Sequence, residues 1–170
     1  MKGDDRLEQL AAKAAKGDED SFVSICDAVK TELFRAAMGI LSDETLALDA
    51  VSEAVFRAYK GIKRLRQPEY VQTWFTRILI NAANDIYKRQ KRECSINDLD
   101  DVAFRDDYGD MEFFELIKTL PPELREIISL KYYSDYTLAE IALILNIPDG
   151  TVKSRLNRAL KLLRLEVEDG

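Results

Sequence analysis

Thr137-Leu138-Ala139-Glu140-Ile141-Ala142-Leu143-Ile144-Leu145, followed by Asn146-Ile147-Pro148 and then Asp149-Gly150-Thr151-Val152-Lys153-Ser154-Arg155-Leu156-Asn157-Arg158-Ala159, is the stretch that decides the fold. Its first part is amphipathic at helical spacing, Asn146-Ile147-Pro148 interrupts it, and a second helix starts at Asp149. The spacing predicts a helix-turn-helix. Small Ala142 suits the close approach of the two helices, and Asn146 can take the left-handed conformation that such turns often give to Gly. At about 100° per residue, Val152, Leu156, Ala159, Leu160 and Leu163 share one side of the second helix, whereas Ser154, Asn157, Arg158 and Lys161 project from the other. A recognition helix uses its N-terminal half for base edges, and amides at Thr151 and Val152, with the local dipole, suit a phosphate. The same pattern also fits an ordinary helical hairpin with a solvated outer face.

Working outward, the whole chain reads as helix. Asp4 to Lys16 is a short helix with Gly17 as its stop, and Ser21 to about Leu41 is a second, with Phe22, Ile25, Val29, Leu33 and Met38 near helical spacing. Ser42-Asp43-Glu44 supplies an N-cap and acidic first turn for a third, which runs to Lys60 with Gly61 as its C′ residue. Pro68 opens a fourth, from about Glu69 to Arg92. From Glu93 to about Asp110 periodicity vanishes and Asp dominates, the composition of a tether. Beyond it come helices over about Met111–Thr119, Pro121–Tyr133, Thr137–Leu145 and Asp149–Leu165. The expectation is an all-α protein of two small helical domains, residues 1–92 and 111–170, joined by an acidic linker at 93–110. At about 60 residues the second is marginal by itself.

Composition excludes much else. Seven Gly and four Pro in 170 residues disfavour a turn-rich all-β fold. The apolar runs are far shorter than the roughly 20 residues of a membrane span, and no charged, apolar-centred leader opens the chain, so a soluble cytoplasmic protein is expected. With two distant cysteines and no His, neither a disulfide framework nor an ordinary zinc site is legible, and the commonest general base is missing. Carboxylate or Lys chemistry stays formally possible, but the expectation is a protein that is not an enzyme and carries no metal or cofactor. Cys26 reads as core packing.

The net charge of −6 conceals segregation. Residues 1–56 carry 6 basic and 12 acidic side chains, 57–92 carry 10 and 2, 93–115 carry 1 and 9, and 116–170 carry 8 and 8. Two basic patches, on 57–92 and along Asp149 to Arg164, therefore flank an acidic stretch. Clustered Lys and Arg on one side of a helix whose other side is apolar are the usual source of salt-dependent DNA affinity, although a single charge run is as often a solvated face. On the helix from Glu69 to Arg92, Val71, Phe75, Ile78, Leu79, Ala82 and Ile86 cluster on one side. Opposite stand Arg77, Asn81, Asn84, Lys88 and Lys91, with Trp74 and Asp85 at the boundary. Trp74 either stacks on an unpaired base while cations hold phosphates, or tucks into the core; position alone leaves both open. The loop Arg64-Leu65-Arg66-Gln67 lies next to that aromatic edge, where a base taken out of the stack could be received.

With both modules in view, four strings resemble the extracytoplasmic-function (group 4) sigma factors of bacterial RNA polymerase: Asp49-Ala50-Val51-Ser52-Glu53-Ala54-Val55-Phe56-Arg57-Ala58-Tyr59, Trp74-Phe75-Thr76-Arg77-Ile78-Leu79-Ile80-Asn81-Ala82-Ala83-Asn84-Asp85, Leu120-Pro121-Pro122-Glu123-Leu124-Arg125, and Gly150 to Ala159. The resemblance covers nearly the whole chain and implies a region 2 domain, a linker and a region 4 domain. It implies that Asp49, Ser52, Glu53 and Phe56 face the clamp helices of the polymerase β′ subunit. These four also line up on one side of the third helix, opposite Ala47, Ala50, Val51, Ala54 and Ala58. Ser52 stands where Gln is usual.

For minus-10 recognition and melting, the resemblance points to Arg64, Leu65, Trp74, Arg77, Asn81, Asn84 and Lys88, with Leu65 where an aromatic often occurs. For the minus-35 element it points to Lys153, Ser154, Asn157 and Arg158 toward bases and Thr151 and Arg155 toward phosphates, with Lys161 on the same stripe. Lys153 replaces the more frequent Arg, whose bidentate fork to guanine Lys does not reproduce. The implied partners are core RNA polymerase (β′ clamp helices and β flap), promoter DNA and an anti-sigma factor. The acidic linker is implied to thread the polymerase's RNA exit path. The expected function is therefore an alternative sigma factor that directs core polymerase to promoters. Two other readings are a stand-alone helix-turn-helix regulator of the response-regulator type, and an anti-sigma or adaptor protein whose helices make only protein contacts.

Overall fold

The computed structural model describes residues 4–94 and 111–169. The linker expected at 93–110 therefore lies, beyond Cys94, outside the described residues.

The first module is built from α1 (Asp5–Ala15), α2 (Glu19–Leu41), α3 (Glu44–Gly61) and α4 (Val71–Cys94). Two 3-10 turns, Ile62–Arg64 and Pro68–Tyr70, lie between α3 and α4. Asp4 caps α1 by accepting from the Arg6 N–H at 3.1 Å, and Gly17 beyond it has φ +102°. Of the expected caps, the Ser42-Asp43-Glu44 string does cap α3, through its middle residue, whereas Gly61 is placed differently. Ser42 is not the N-cap of α3 but the left-handed residue (φ 51°) that closes α2, its N–H donating to Met38 O at 2.7 Å. Asp43 does the capping, accepting from the Leu46 N–H at 2.8 Å, because its carboxylate is one residue nearer the first free amides. Gly61 ends α3 with φ −96°, so it is not a left-handed C′ residue. Packing explains it instead: a Cβ there would lie 3.3 Å from the Trp74 indole.

The second module contains α5 (Met111–Lys118), α6 (Pro122–Ile128), α7 (Leu138–Leu145) and α8 (Asp149–Asp169). The expected single helix over Pro121–Tyr133 changes pitch, its last five residues, Ser129–Tyr133, forming a π-helical segment. Thr137 and Glu140 form a capping box at the start of α7, and Asn146 closes that helix at φ 53° in the expected left-handed conformation. Thr137→Ala removes the hydroxyl that accepts from the Glu140 N–H and should cost about 1 kcal/mol, a fall of about 2–4 °C in Tm by circular dichroism.

Ala47, Ala50, Ala54 and Ala58 are fully buried and form a small-residue stripe on α3, the helix that packs between α2 and α4. Phe75 and Leu79 of α4 and Ile25 and Leu33 of α2 fill the centre. The second module buries Ile117, Leu124, Ile127, Ile128, Leu130, Ile141 and Ile144, with Val152 and Ala159 on the inner side of α8. Buried residues of both modules form one contiguous core. α2 packs on α6 and the π-helical segment, and α4 packs on α7.

Polar groups cross the same boundary. Thr76 and Tyr136 share a buried hydroxyl–hydroxyl bond of 2.7 Å, and Arg125 donates to Ile40 O at 2.9 Å. Burial, only partly offset by the Thr76 bond, pushes the Tyr136 phenol up to about 12. Half-buried Cys26 packs against the first module's core, as expected, and burial raises its thiol to about 11.

Candidate nucleic-acid interface

α8 presents the polar stripe read from the sequence. Lys153, Ser154, Asn157, Arg158 and Lys161 are exposed, while Thr151 and Arg155 are half-buried at its edge. The amides of Thr151 and Val152 are not open to a phosphate, because both donate to Pro148 O, at 2.9 and 3.1 Å. Pro148 thus starts the hydrogen-bonded turn, and the free donors of α8 must lie before Thr151. Arg155 lies within electrostatic reach of Glu126 on α6. Burial raises the Glu126 carboxyl, and the Asn84 hydrogen bond, Arg155 and Lys88 draw it back down.

On the first module, a cleft of about 440 Å³ is lined by Arg64, Leu65, Arg66, Gln67, Tyr70, Thr73, Trp74 and Arg77, with Leu143 of α7 against it. Trp74 is neither fully tucked into the core nor fully exposed. One edge of the ring meets Phe75, with centroids 6.1 Å apart and planes at 78°, and lies over Gly61; the half-buried remainder lines the cleft. Four of the expected residues, Arg64, Leu65, Trp74 and Arg77, thus meet at one place. Asn81 and Lys88 are exposed on α4 but do not line the cleft.

Arg77 and Asn84 are not free. The Arg77 guanidinium donates to Ile144 O at 3.2 Å and to Leu143 O, and the Asn84 amide donates to Glu126 at 2.6 Å. Tyr70 and Thr73 line the cleft and were missed by sequence reasoning. The signal was available: Tyr70 precedes Trp74 by four residues, one helical turn, and is 47% exposed.

On α3, Asp49, Ser52 and Phe56 are exposed and Glu53 is half-buried. Glu53 accepts from Arg57 at 2.7 Å, and Arg57 also reaches Asp85 of α4 at 3.0 Å, so the guanidinium pKa is raised, chiefly by the Glu53 hydrogen bond. Phe56 is 53% exposed, with the Lys60 ammonium 4.2 Å from its ring centre. Leu48 and Tyr59 extend the apolar stripe along the same helix.

A helix-turn-helix with an open polar face and a basic bundle with an aromatic cleft, carried by one chain, make a helical DNA-reading transcription factor of two modules. The comparisons with known proteins narrow that class. The family description "Sigma-70 region 2" matches residues 26–93, and "Sigma-70, region 4" matches residues 110–163. Among curated relatives, the RNA polymerase sigma factor SigV of Bacillus subtilis is 34% identical over 81% of this chain and 86% of its own length. The ECF RNA polymerase sigma factor SigW of the same organism is 31% identical over 96% and 97%. Among solved structures, CnrH in complex with the cytosolic domain of CnrY superimposes with a TM-score of 0.77 over 96% of this chain and 98% of that one, at 21% identity. The sigma factor RpoE of Bartonella quintana, in complex with the anti-sigma factor NepR, gives 0.71 over 88% and 96%, also at 21%.

The chain belongs to the sigma-70 family, in its extracytoplasmic-function branch. It is an alternative sigma factor that directs RNA polymerase to promoters. The response-regulator-type reading is not supported, because sigma-70 regions match both modules. Among the described residues no helix is long and apolar enough to cross a membrane.

Proposed function

We propose that the three surfaces divide the work of promoter selection. α3 docks on the β′ clamp helices through Asp49, Ser52, Glu53 and Phe56, and the second module also meets the β flap. The outer face of α8 reads minus-35 duplex, with Lys153, Ser154, Asn157 and Arg158 toward bases and Arg155 and Lys161 toward phosphates. Arg64, Leu65 and Trp74, joined by Tyr70, receive an unpaired base of the minus-10 element, while Arg77, Asn81, Asn84 and Lys88 follow the strand. The observation that carries this reading is the cleft, where an indole, a phenol and three guanidinium-bearing side chains converge on a space of about 440 Å³, roomy enough to admit a nucleobase.

Such a protein acts in the cytoplasm, where the polymerase works. Initiation here rests on binding and strand capture, with no covalent chemistry assigned to the chain. An anti-sigma factor is the regulator to look for, since both structural relatives described above are bound to one partner protein each, and one of those partners is named as an anti-sigma factor.

Run-off transcription with core polymerase on a promoter library tests the reading. The native chain should select a defined set of start sites. Lys153→Ala and Arg158→Ala should each reduce those transcripts about tenfold, the loss of one base contact, with core binding unchanged. Unaltered promoter use in both variants would instead support the adaptor reading.

A further inference from the structure

Arg57 of α3 joins two surfaces that the first module presents. Its Nε donates to Glu53 Oε1 at 2.7 Å, one turn back on the same helix, and its Nη2 donates to Asp85 Oδ2 of α4 at 3.0 Å. Glu53 is one of the four residues placed at the polymerase. Asp85 shares the exposed side of α4 with Asn81, four residues before it, and Lys88, three after, both placed along the minus-10 strand. One guanidinium thus serves two carboxylates that face different partners.

The two pairings do different things. Ion pairs whose side chains are all more than a third exposed add little to folding, so stability does not account for the arrangement. A lone Glu on an open helix surface samples many rotamers and loses that freedom when a partner fixes it. Arg57 fixes the Glu53 side chain beforehand through one carboxylate oxygen, and the other can still accept from a cation. Asp85 poses a different problem. Residues 57–92 hold 10 basic and 2 acidic side chains; one acid, Glu69, lies in the turn before α4, and the other, Asp85, stands beside the strand path. An uncompensated carboxylate there repels phosphates. Arg57, rather than Lys88, takes up that charge, which leaves the Lys88 ammonium for the strand.

We propose that Arg57 is a positioning residue for both contacts: it presents Glu53 to the polymerase and cancels the Asp85 charge that would otherwise push the minus-10 strand away. This rests on the function proposed above and adds to it a residue that acts through two neighbours.

Substitution separates the two roles. Lys at position 57 keeps an i, i+4 pair with Glu53, in the favourable order of acid before base, but one ammonium does not span both carboxylates. Arg57→Lys should therefore bind surface-immobilised core polymerase within about twofold of native, while its competitor-resistant complexes on a promoter selected by run-off transcription decay about fivefold faster. Arg57→Ala should in addition lose about fivefold in polymerase affinity, the effect of releasing one side chain that binding must then order. Adding Asp85→Asn to either variant should restore the complex lifetime and leave the polymerase affinity of the alanine variant low. The lifetime defect should shrink as salt is raised, and melting of the free chains should stay within about 3 °C of native.

A lifetime defect that survives Asp85→Asn would overturn the charge assignment, and native polymerase affinity in Arg57→Ala would overturn the presentation of Glu53. A joint fall in melting temperature and in both readouts, unrelieved by Asp85→Asn, would make Arg57 a plain staple between helices and overturn the whole proposal. Should Arg57→Ala not fold, Arg57→Lys decides: a native complex lifetime in that variant overturns the proposal. Absence of defined start sites with the native chain would strike the proposed function, whereas defined start sites beside unmoved Arg57 variants would strike this inference alone.

Discussion

Phe56→Ala should weaken binding to core polymerase about 30-fold or more, the effect of removing an aromatic anchor worth about 2 kcal/mol at an interface centre. The ring is half in solvent, packs under the Lys60 ammonium, and sits on the side of α3 opposite the buried alanines. No core contact is lost with it, so thermal melting of the free chain should not change. A surface-immobilised polymerase titrated with native and variant chains provides the measurement. Ser52→Gln, restoring the residue usual in the family, should strengthen binding in the same assay. Equal affinities for native and Phe56→Ala chains would remove α3 from the proposed docking surface.

Arg125→Met should be the most damaging single change to stability. The guanidinium is 7% exposed and donates to Ile40 O at 2.9 Å, Lys118 O at 2.8 Å and Leu120 O at 3.1 Å. Ile40 is in the last turn of α2, and Lys118 and Leu120 are at and beyond the end of α5, so one side chain satisfies carbonyls that two helices leave over. Burial lowers its pKa, and charge interaction and a side-chain hydrogen bond with the Tyr87 phenol partly compensate. Methionine fills similar volume but leaves three buried acceptors unpaired, about 3 kcal/mol in all, or a fall in Tm of about 10 °C. That is a large part of the 5–15 kcal/mol typical of a domain. Arg125→Lys should fall between the two, because one ammonium does not span the planar fork's three acceptors. Melting curves of the three proteins rank them.

Much of this architecture was legible in the sequence, and the reasons are local. Asn146 before Ile147-Pro148 marks a helix end whatever surrounds it, and the alanines at 47, 50, 54 and 58 report a tightly packed face by spacing alone. The polar stripe of α8 follows from the same periodicity. What was not legible depends on which face meets which. Arg77 and Asn84 lie opposite the apolar stripe of α4 and so read as free, yet α7 and α6 partner them across 66 or 67 and 42 residues of sequence. Gly39 looks like any glycine in a helix until Ser129 is placed against it. Which of Ser42 and Asp43 would cap α3 was not legible either: they are adjacent residues of nearly equal capping propensity, separated only by a left-handed turn that propensity does not encode.

The single core running through both modules also bears on the fate of the protein when it has no host. Prising the halves apart uncovers apolar surface around Ile40 and Tyr136 that was meant to stay dry, so an idle, gaping molecule would be sticky and easily cut by proteases. Shelter by a binding partner then governs how long each copy survives in the cell as well as what it does there, and the supply of free polymerase becomes one control on its abundance.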